Sequence, residues 1–265
     1  MKINKLLIIT SLTLTLLSGC SQVKQEAPAA NNDKIITQRT NTNQKSNTNQ
    51  KSNTNQNISE DQTQVNFEKP FPYQHKKIFK MLKLDFLGRA QGSHIQLSEN
   101  QTPKKKRSPY LTIRPSGWHN YKFYVNGKPT WLFNRGHLVG YQFCGIDQAP
   151  ENMITQTQYL NQGGTTHMDD QNPKGQLYYE NKLRTWLINH PSDKLDYSVI
   201  PLYRSNELVP RGVKLTYTGY NENGQNISVD VNSPYVKKDK NINSVILENT
   251  SPLAKIDYQT GRIIK

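Results

Sequence analysis

The stretch that most limits what this chain can fold into is a six-residue repeat with nothing in it to bury. Asn41-Thr42-Asn43-Gln44-Lys45-Ser46 recurs at Asn47–Ser52 and begins again at Asn53. A repeat of that length could stack as the coils of a β-solenoid, but each coil must then supply apolar side chains to a continuous core. None of these does. The repeat, and the polar sequence around it from Ser21 to about Asn66, predict a disordered tether. At roughly 46 residues it would have a root-mean-square span of about 35–40 Å. Folding is therefore a matter for the residues beyond it.

Ahead of the tether, Lys2 and Lys5 precede an apolar run from Leu6 to Leu17, which ends in Leu17-Ser18-Gly19-Cys20. This is the layout of a secretory signal peptide. Small residues before a cysteine resemble the bacterial lipobox, in which that cysteine is lipidated. An ordinary signal peptide that happens to contain Cys20 is the plainer alternative. The lipobox reading gives a signal peptide at 1–19 and a lipid-anchored tether at 20–66, and it holds the protein at the cell membrane, facing the extracytoplasmic side. Beyond the leader no apolar run reaches the roughly 18–20 residues that a membrane span needs. With only two cysteines, Cys20 and Cys144, a disulfide-dense scaffold and a four-cysteine zinc module are both excluded. Cys144 is most simply a small buried side chain.

The net charge of +14 favours a polyanionic partner without choosing among nucleic acid, anionic lipid and wall polymer. Residues 67–235 alone carry 21 basic and 13 acidic residues, so the basic balance belongs to the expected domain as well as to the tether. Within that domain the patterns are mixed, which predicts an α+β fold. Gln74–Leu87 places Ile78, Met81, Leu82 and Phe86 at helical spacing. Tyr121–Val125 and Thr130–Phe133 flank Asn126-Gly127, a strong hairpin signal. A second helix is predicted from Pro173, with Tyr179, Leu183, Trp186 and Leu187 on one face and Pro191 beyond its end. Tyr197–Leu202, Val213–Tyr217 and Ile227–Val231 read as later strands. Residues 236–265 form a C-terminal extension whose packing the sequence leaves open.

Directly after the hairpin stands Asn134-Arg135-Gly136-His137-Leu138, followed by Glu151–Gln156, Leu160-Asn161-Gln162-Gly163 and Gln176-Leu177-Tyr178-Tyr179-Glu180. A lone histidine after glycine is as often structural as catalytic. Together with Gly117–Tyr121, however, the ordered set resembles the DNA/RNA non-specific endonucleases of the ββα-metal class. It is most similar to the branch of DNA-entry (competence) nucleases, over roughly residues 75–235. The resemblance implies a ββα-metal nuclease core with a mixed or antiparallel sheet and flanking helices. It also implies metal-dependent hydrolysis of DNA, and of RNA, to 5′-phosphate ends. Carried onto this chain, it makes His137 the general base and Asn161 the side chain that binds the divalent metal, usually Mg2+, with Mn2+ an alternative. Asn152 and Glu180 match positions that organise the metal's water shell and the phosphate, and Arg135 and Arg184 match phosphate-contacting positions. The family's usual aspartate is replaced by Asn134, and Gln142 stands where a small residue is usual.

Such a set is chemically coherent. Magnesium prefers oxygen ligands and keeps several waters, and a neutral amide leaves its charge almost undiminished. A neutral imidazole can accept the proton of water, and a guanidinium fork fits phosphate oxygens. Nothing in the set reads base edges, so cleavage without sequence preference follows. Plainer readings exist for several members. Asn152 and Asn161 could be helix caps. Glu180 and Arg184, four apart, could be a helix ion pair on the face away from Tyr179 and Leu183. Asp169-Asp170 reads as a loop leading into a helix, and His190 as a helix-end residue. Lys104-Lys105-Lys106-Arg107 reads as either a solvated loop or a strand-contacting patch. The rival to an enzyme is a non-catalytic surface lipoprotein that binds nucleic acid or another polyanion.

Overall fold

Asn126 and Gly127 both take positive φ, 50° and 74°, and close the hairpin expected of an Asn-Gly pair. The computed structural model describes residues 66–264, so the expectations for the leader, Cys20 and the tether lie outside the described residues. Ahead of the hairpin are β1 (Ile78–Met81) and β2 (Ser93–Leu97); the hairpin itself is β3 (Lys122–Val125) and β4 (Lys128–Trp131). Then come β5 (Phe133–His137), α1 (Tyr141–Cys144), β6 (Met153–Thr157), α2 (Gln158–Gln162) and α3 (Gln176–Asn189). The remainder holds β7 (Lys194–Leu202), β8 (Gly212–Tyr220), β9 (Asn226–Ile227), β10 (Lys237–Asp239) and β11 (Ile242–Glu248). A last hairpin pairs β12 (Lys255–Asp257) with β13 (Arg262–Ile264).

The main sheet runs β1-β2-β7-β8-β11-β10, with β9 also on β8, and every pairing among the described residues is antiparallel. The fold is α+β, as the mixed patterns predict. Helix α3 lays Tyr179, Leu183 and Leu187 into a core shared with Leu195, Tyr197, Val199, Leu215 and Tyr217. A fully buried leucine in such a core contributes about 1.5–3 kcal/mol. The helix begins three residues later than Pro173, because Asn172 first closes a turn in which its carbonyl accepts from Gly175 N at 3.0 Å. It ends at His190, whose Nδ1 donates to the Trp186 carbonyl at 2.8 Å, as a helix-end histidine should.

Three local expectations are corrected. Gln74–Leu87 is not helical: Ile78–Met81 is the edge strand β1, in register with Ser93–Gln96. Pairing along β2 outweighs the helical spacing. The Asp85 side chain then accepts from the backbone of Leu87 and Arg89, at 3.0 and 2.9 Å, and turns the chain where a helix would have continued. The Arg-Gly-His segment does not follow a strand; it lies within β5, separated from β4 by Leu132. Of Ile227–Val231 only Ile227 pairs, while Val229 and Val231 are buried without a ladder of their own.

Residues 236–264 belong to the same folded unit. β11 pairs with β8 from Asn243↔Tyr217 to Glu248↔Gly212 and buries Val245 and Leu247. Ile256 of β12 packs on Leu132 and Phe133 at the start of β5. Between them, the buried Asn249 accepts from Thr157 N at 2.7 Å and donates to the carbonyls of Thr155 and Pro210 at 3.0 and 2.9 Å. One side chain thus ties β6 to the loop leading into β8. No helix of the described residues is long and apolar enough to cross a membrane.

Candidate active site

β5 pairs with β6 so that Gly136 faces Ile154 and His137 faces Met153, and β6 runs directly into α2. Thr157 is the hinge of this unit: its Oγ1 accepts from Leu160 N at 3.0 Å and caps the helix that carries Asn161. Two strands and a short helix therefore present His137 and Asn161 from one continuous element. Glycine is required at 136 by space, since a Cβ there would run into the Gln156 side chain.

Gln156 begins a polar chain behind β5. Its Nε2 donates to Gln176 Oε1 at 2.9 Å, and Gln176 Nε2 reaches the Leu138 carbonyl at 2.7 Å and Glu180 Oε1 at 3.0 Å. Glu180 Oε1 also accepts from Gly140 N at 3.0 Å and from the Tyr197 hydroxyl at 3.3 Å. The first turn of α3 is thereby fastened to the end of the histidine strand. The expectation that Glu180 lies on the outer face of α3, paired to Arg184, is corrected: Glu180 is buried. It turns inward because four donors, from Gly140, Gln142, Gln176 and Tyr197, converge on its carboxyl. Burial pushes that carboxyl above the ordinary carboxylate range, against the pull of those hydrogen bonds.

His137, Asn161 and Glu180 line one cavity of about 320 Å³, together with Arg107, Gln142 and Gln176. The His137 ring is held by its Nε2, 2.8 Å from the Asp147 carbonyl. A carbonyl only accepts, so Nε2 carries the proton and Nδ1 keeps the lone pair. Burial lowers the pKa of His137, and the nearby charge of Arg107 lowers it further, while the Asp147 carbonyl raises it. The buried thiol of Cys144, pushed up to about 11 by burial, is inert beside this site.

Arg107 was legible only as the end of a basic run. The segment before and after it is anchored: Ser108 N donates to Asp147 Oδ1 at 3.0 Å, and Tyr141 Oη donates to the Lys105 carbonyl at 3.1 Å. Arg107 is consequently held over the cavity. Arg135 lies in the adjoining cavity, its Nε donating to the Ile113 carbonyl at 2.6 Å and its guanidinium stacked 4.5 Å from the Trp118 ring centre.

Two other expected site residues are elsewhere. Asn152 is fully buried, and its amide is spent on the turn after His137, accepting from Val139 N at 3.0 Å and donating to the Val139 carbonyl at 2.9 Å. It shapes that turn and does not line the cavity. Arg184 donates to Glu99 Oε1 at 3.1 Å and lines neither cavity. Asp169-Asp170 sits in the loop before α3, as the plainer reading has it.

The family model for DNA/RNA non-specific endonucleases matches residues 73–221. The chain belongs to that family. This non-specific endonuclease is also similar to solved structures. One, an extracellular nuclease, is 37% identical with TM-score 0.61, over 73% of this chain and 96% of the other. Another, an extracellular endonuclease, is 36% identical with TM-score 0.63, over 77% and 95%. NucA from Streptococcus agalactiae with magnesium ion bound shares the fold at 24% identity and TM-score 0.52, over 71% and 80%. No curated protein shows significant similarity to the chain. The endonuclease is thus a metal-dependent hydrolase of nucleic acid.

A metal fits the residues present. Among the described residues no group of three or more His, Cys, Asp and Glu side chains could cage one. Asn161 instead borders both cavities with a part-exposed amide that no described residue engages. A single neutral oxygen donor suits a hard divalent ion that keeps most of its waters.

Proposed function

We propose that this non-specific endonuclease hydrolyses DNA and RNA with Mg2+ as its metal (Mn2+ as a substitute), with Asn161 as ligand and His137 as general base. The observation that carries the reading is the single cavity that His137, Asn161 and Glu180 line, with the His137 ring oriented by the Asp147 carbonyl. In it, Nδ1 of His137 takes the proton of the attacking water. Arg107 and Arg135 hold the phosphates on either side. Glu180 fixes the turn at Gly140 and, with Gln142, orders water along the wall. The metal, when bound, supplies charge that stabilises the phosphate and the leaving oxygen. Contacts to phosphate position the strand without reading bases, so cleavage has no sequence preference. The solved structures named extracellular support an extracytoplasmic place of action, and the Leu17–Cys20 motif supports lipid anchoring at Cys20.

Plasmid DNA incubated with the purified protein should be degraded with magnesium and spared with excess chelator. Asn161→Ala should lower activity by orders of magnitude and shift half-saturation to higher magnesium. Asn161→Asp should tighten the metal yet lower the turnover number, since a carboxylate neutralises part of the charge. Wild-type rates for both variants at low magnesium would remove Asn161 from the assignment.

The depressed pKa of His137 sets a pH dependence. A base whose conjugate acid is destabilised stays neutral to lower pH, so the acid limb of kcat/KM should fall below the ordinary imidazole value of about 6.5. Arg107→Ala relieves the repulsion and should move that limb upward. A limb at or above 6.5 in the parent, or a downward shift in the variant, contradicts the assignment.

A further inference from the structure

Beside the catalytic cavity lies a larger one of about 610 Å³, sharing Arg107, Asn161 and Gln162 with it. We propose that this second cavity is a subsite for an unpaired nucleobase flanking the scissile phosphate, with Trp131 and Tyr110 as its stacking surfaces. The proposal rests on the nuclease reading above and names the form of nucleic acid that the site prefers.

Four observations converge on it. First, the wall carries two cations, Arg107 and Arg135, and no carboxylate. That wall suits a polyanion. Second, large aromatic rings are left in solvent here, Tyr110 at 79% exposure and Trp131 at 47%. Neither is needed by the core.

Third, both rings are presented by fixed backbone. Thr130 turns inward, its hydroxyl bonded to Gln158 and to the Thr165 carbonyl, and strand alternation then sends the Trp131 side chain to the opposite face. Tyr110 sits between Ser108, tied to Asp147, and Thr112, tied to Gln148 at 2.7 Å. Fourth, the Arg135 guanidinium sits over the Trp118 ring with its Nε occupied, and no described residue bonds its two terminal nitrogens, which leaves them to meet a phosphate in the cavity that Arg135 lines.

Rings beside cations that track a backbone are how proteins hold single strands, because every base offers a face to stack upon. A base inside a duplex cannot enter such a cavity without leaving its stack. The subsite therefore favours single-stranded or locally melted substrate, while the catalytic cavity remains indifferent to sequence.

The test uses a fluorescently labelled oligothymidylate and its duplex with oligoadenylate. Binding is measured in chelator, and cleavage in magnesium, for the parent, Trp131→Ala, Tyr110→Ala and Trp131→Phe. The single-strand to duplex affinity ratio should fall about tenfold in each alanine variant and recover in Trp131→Phe. Tryptophan fluorescence of the parent should be quenched by the single strand, with less quenching in Trp131→Phe. An unchanged ratio, or equal losses on both substrates, overturns the subsite even where magnesium-dependent cleavage persists. A parent that cleaves neither substrate with magnesium overturns the nuclease reading instead.

Discussion

His137→Ala should lower the turnover number by about 10²–10⁴ while nucleic-acid affinity stays within about twofold of the parent. A general base meets the proton of water only as the barrier is crossed, so its loss leaves ground-state binding alone. Affinity comes from lysine and arginine contacts to phosphate and should weaken steeply with salt in parent and variant alike. The ring is only 6% exposed and donates to the Asp147 carbonyl, so alanine also leaves a void and an unpaired acceptor. His137→Gln keeps a donor within reach of that carbonyl and still lacks a base. Both variants should therefore show the same large loss of turnover, with the glutamine form closer to the parent in Tm. Added imidazole should restore part of the rate in the alanine form. If either variant binds substrate as weakly as it cuts, His137 is a contact residue and the mechanism fails.

A chain ending at Tyr235 should not fold. It loses β11, and with it the buried Val245 and Leu247, worth about 1.5–3 kcal/mol each. It also loses three hydrogen bonds of the Asn249 side chain, about 0.5–1.5 kcal/mol each. Valine and leucine side chains of β8 lose their cover at the same time. Together these losses match the whole stability of a typical domain, about 5–15 kcal/mol. Near-ultraviolet circular dichroism should show no fixed tertiary signal, and heating should give no cooperative transition. A cooperative melt within a few degrees of the full chain would show that residues 236–264 are dispensable after all.

What could be read from the sequence was what local chemistry decides. Asn126-Gly127 forces its hairpin through backbone preference alone, and the apolar stripe of α3 repeats at helical spacing from Tyr179 to Leu187. The nuclease core was legible only through the family resemblance that the ordered set from Asn134 to Glu180 carries. Burial of Glu180 was not legible. Its helical position marks it as outward-facing, and only Gly140 and Tyr197, arriving from elsewhere in the chain, together with Gln176 one turn back on α3, make a pocket for a carboxylate. Asn152 failed for a related reason, because an amide that could order water serves a turn just as well. β1 was hidden because an edge strand of four residues is fixed by its partner, not by its own pattern. The polar segment after Val236 gave no sign that Asn243 and Asn249 are core residues, since hydrogen bonds to distant backbone compensate their burial.

The place of Asn249 in the chain bears on when the scaffold around β6 can close. Synthesis runs from the amino terminus, so His137 and Asn161 are made well before the residue that clamps Thr155 and Thr157. The bond from Thr157 to Asn249 spans 92 positions, so it cannot form until the chain has been made through Asn249. A chain made only part-way to that point therefore carries His137 and Asn161 on a strand and helix whose clamp is still missing.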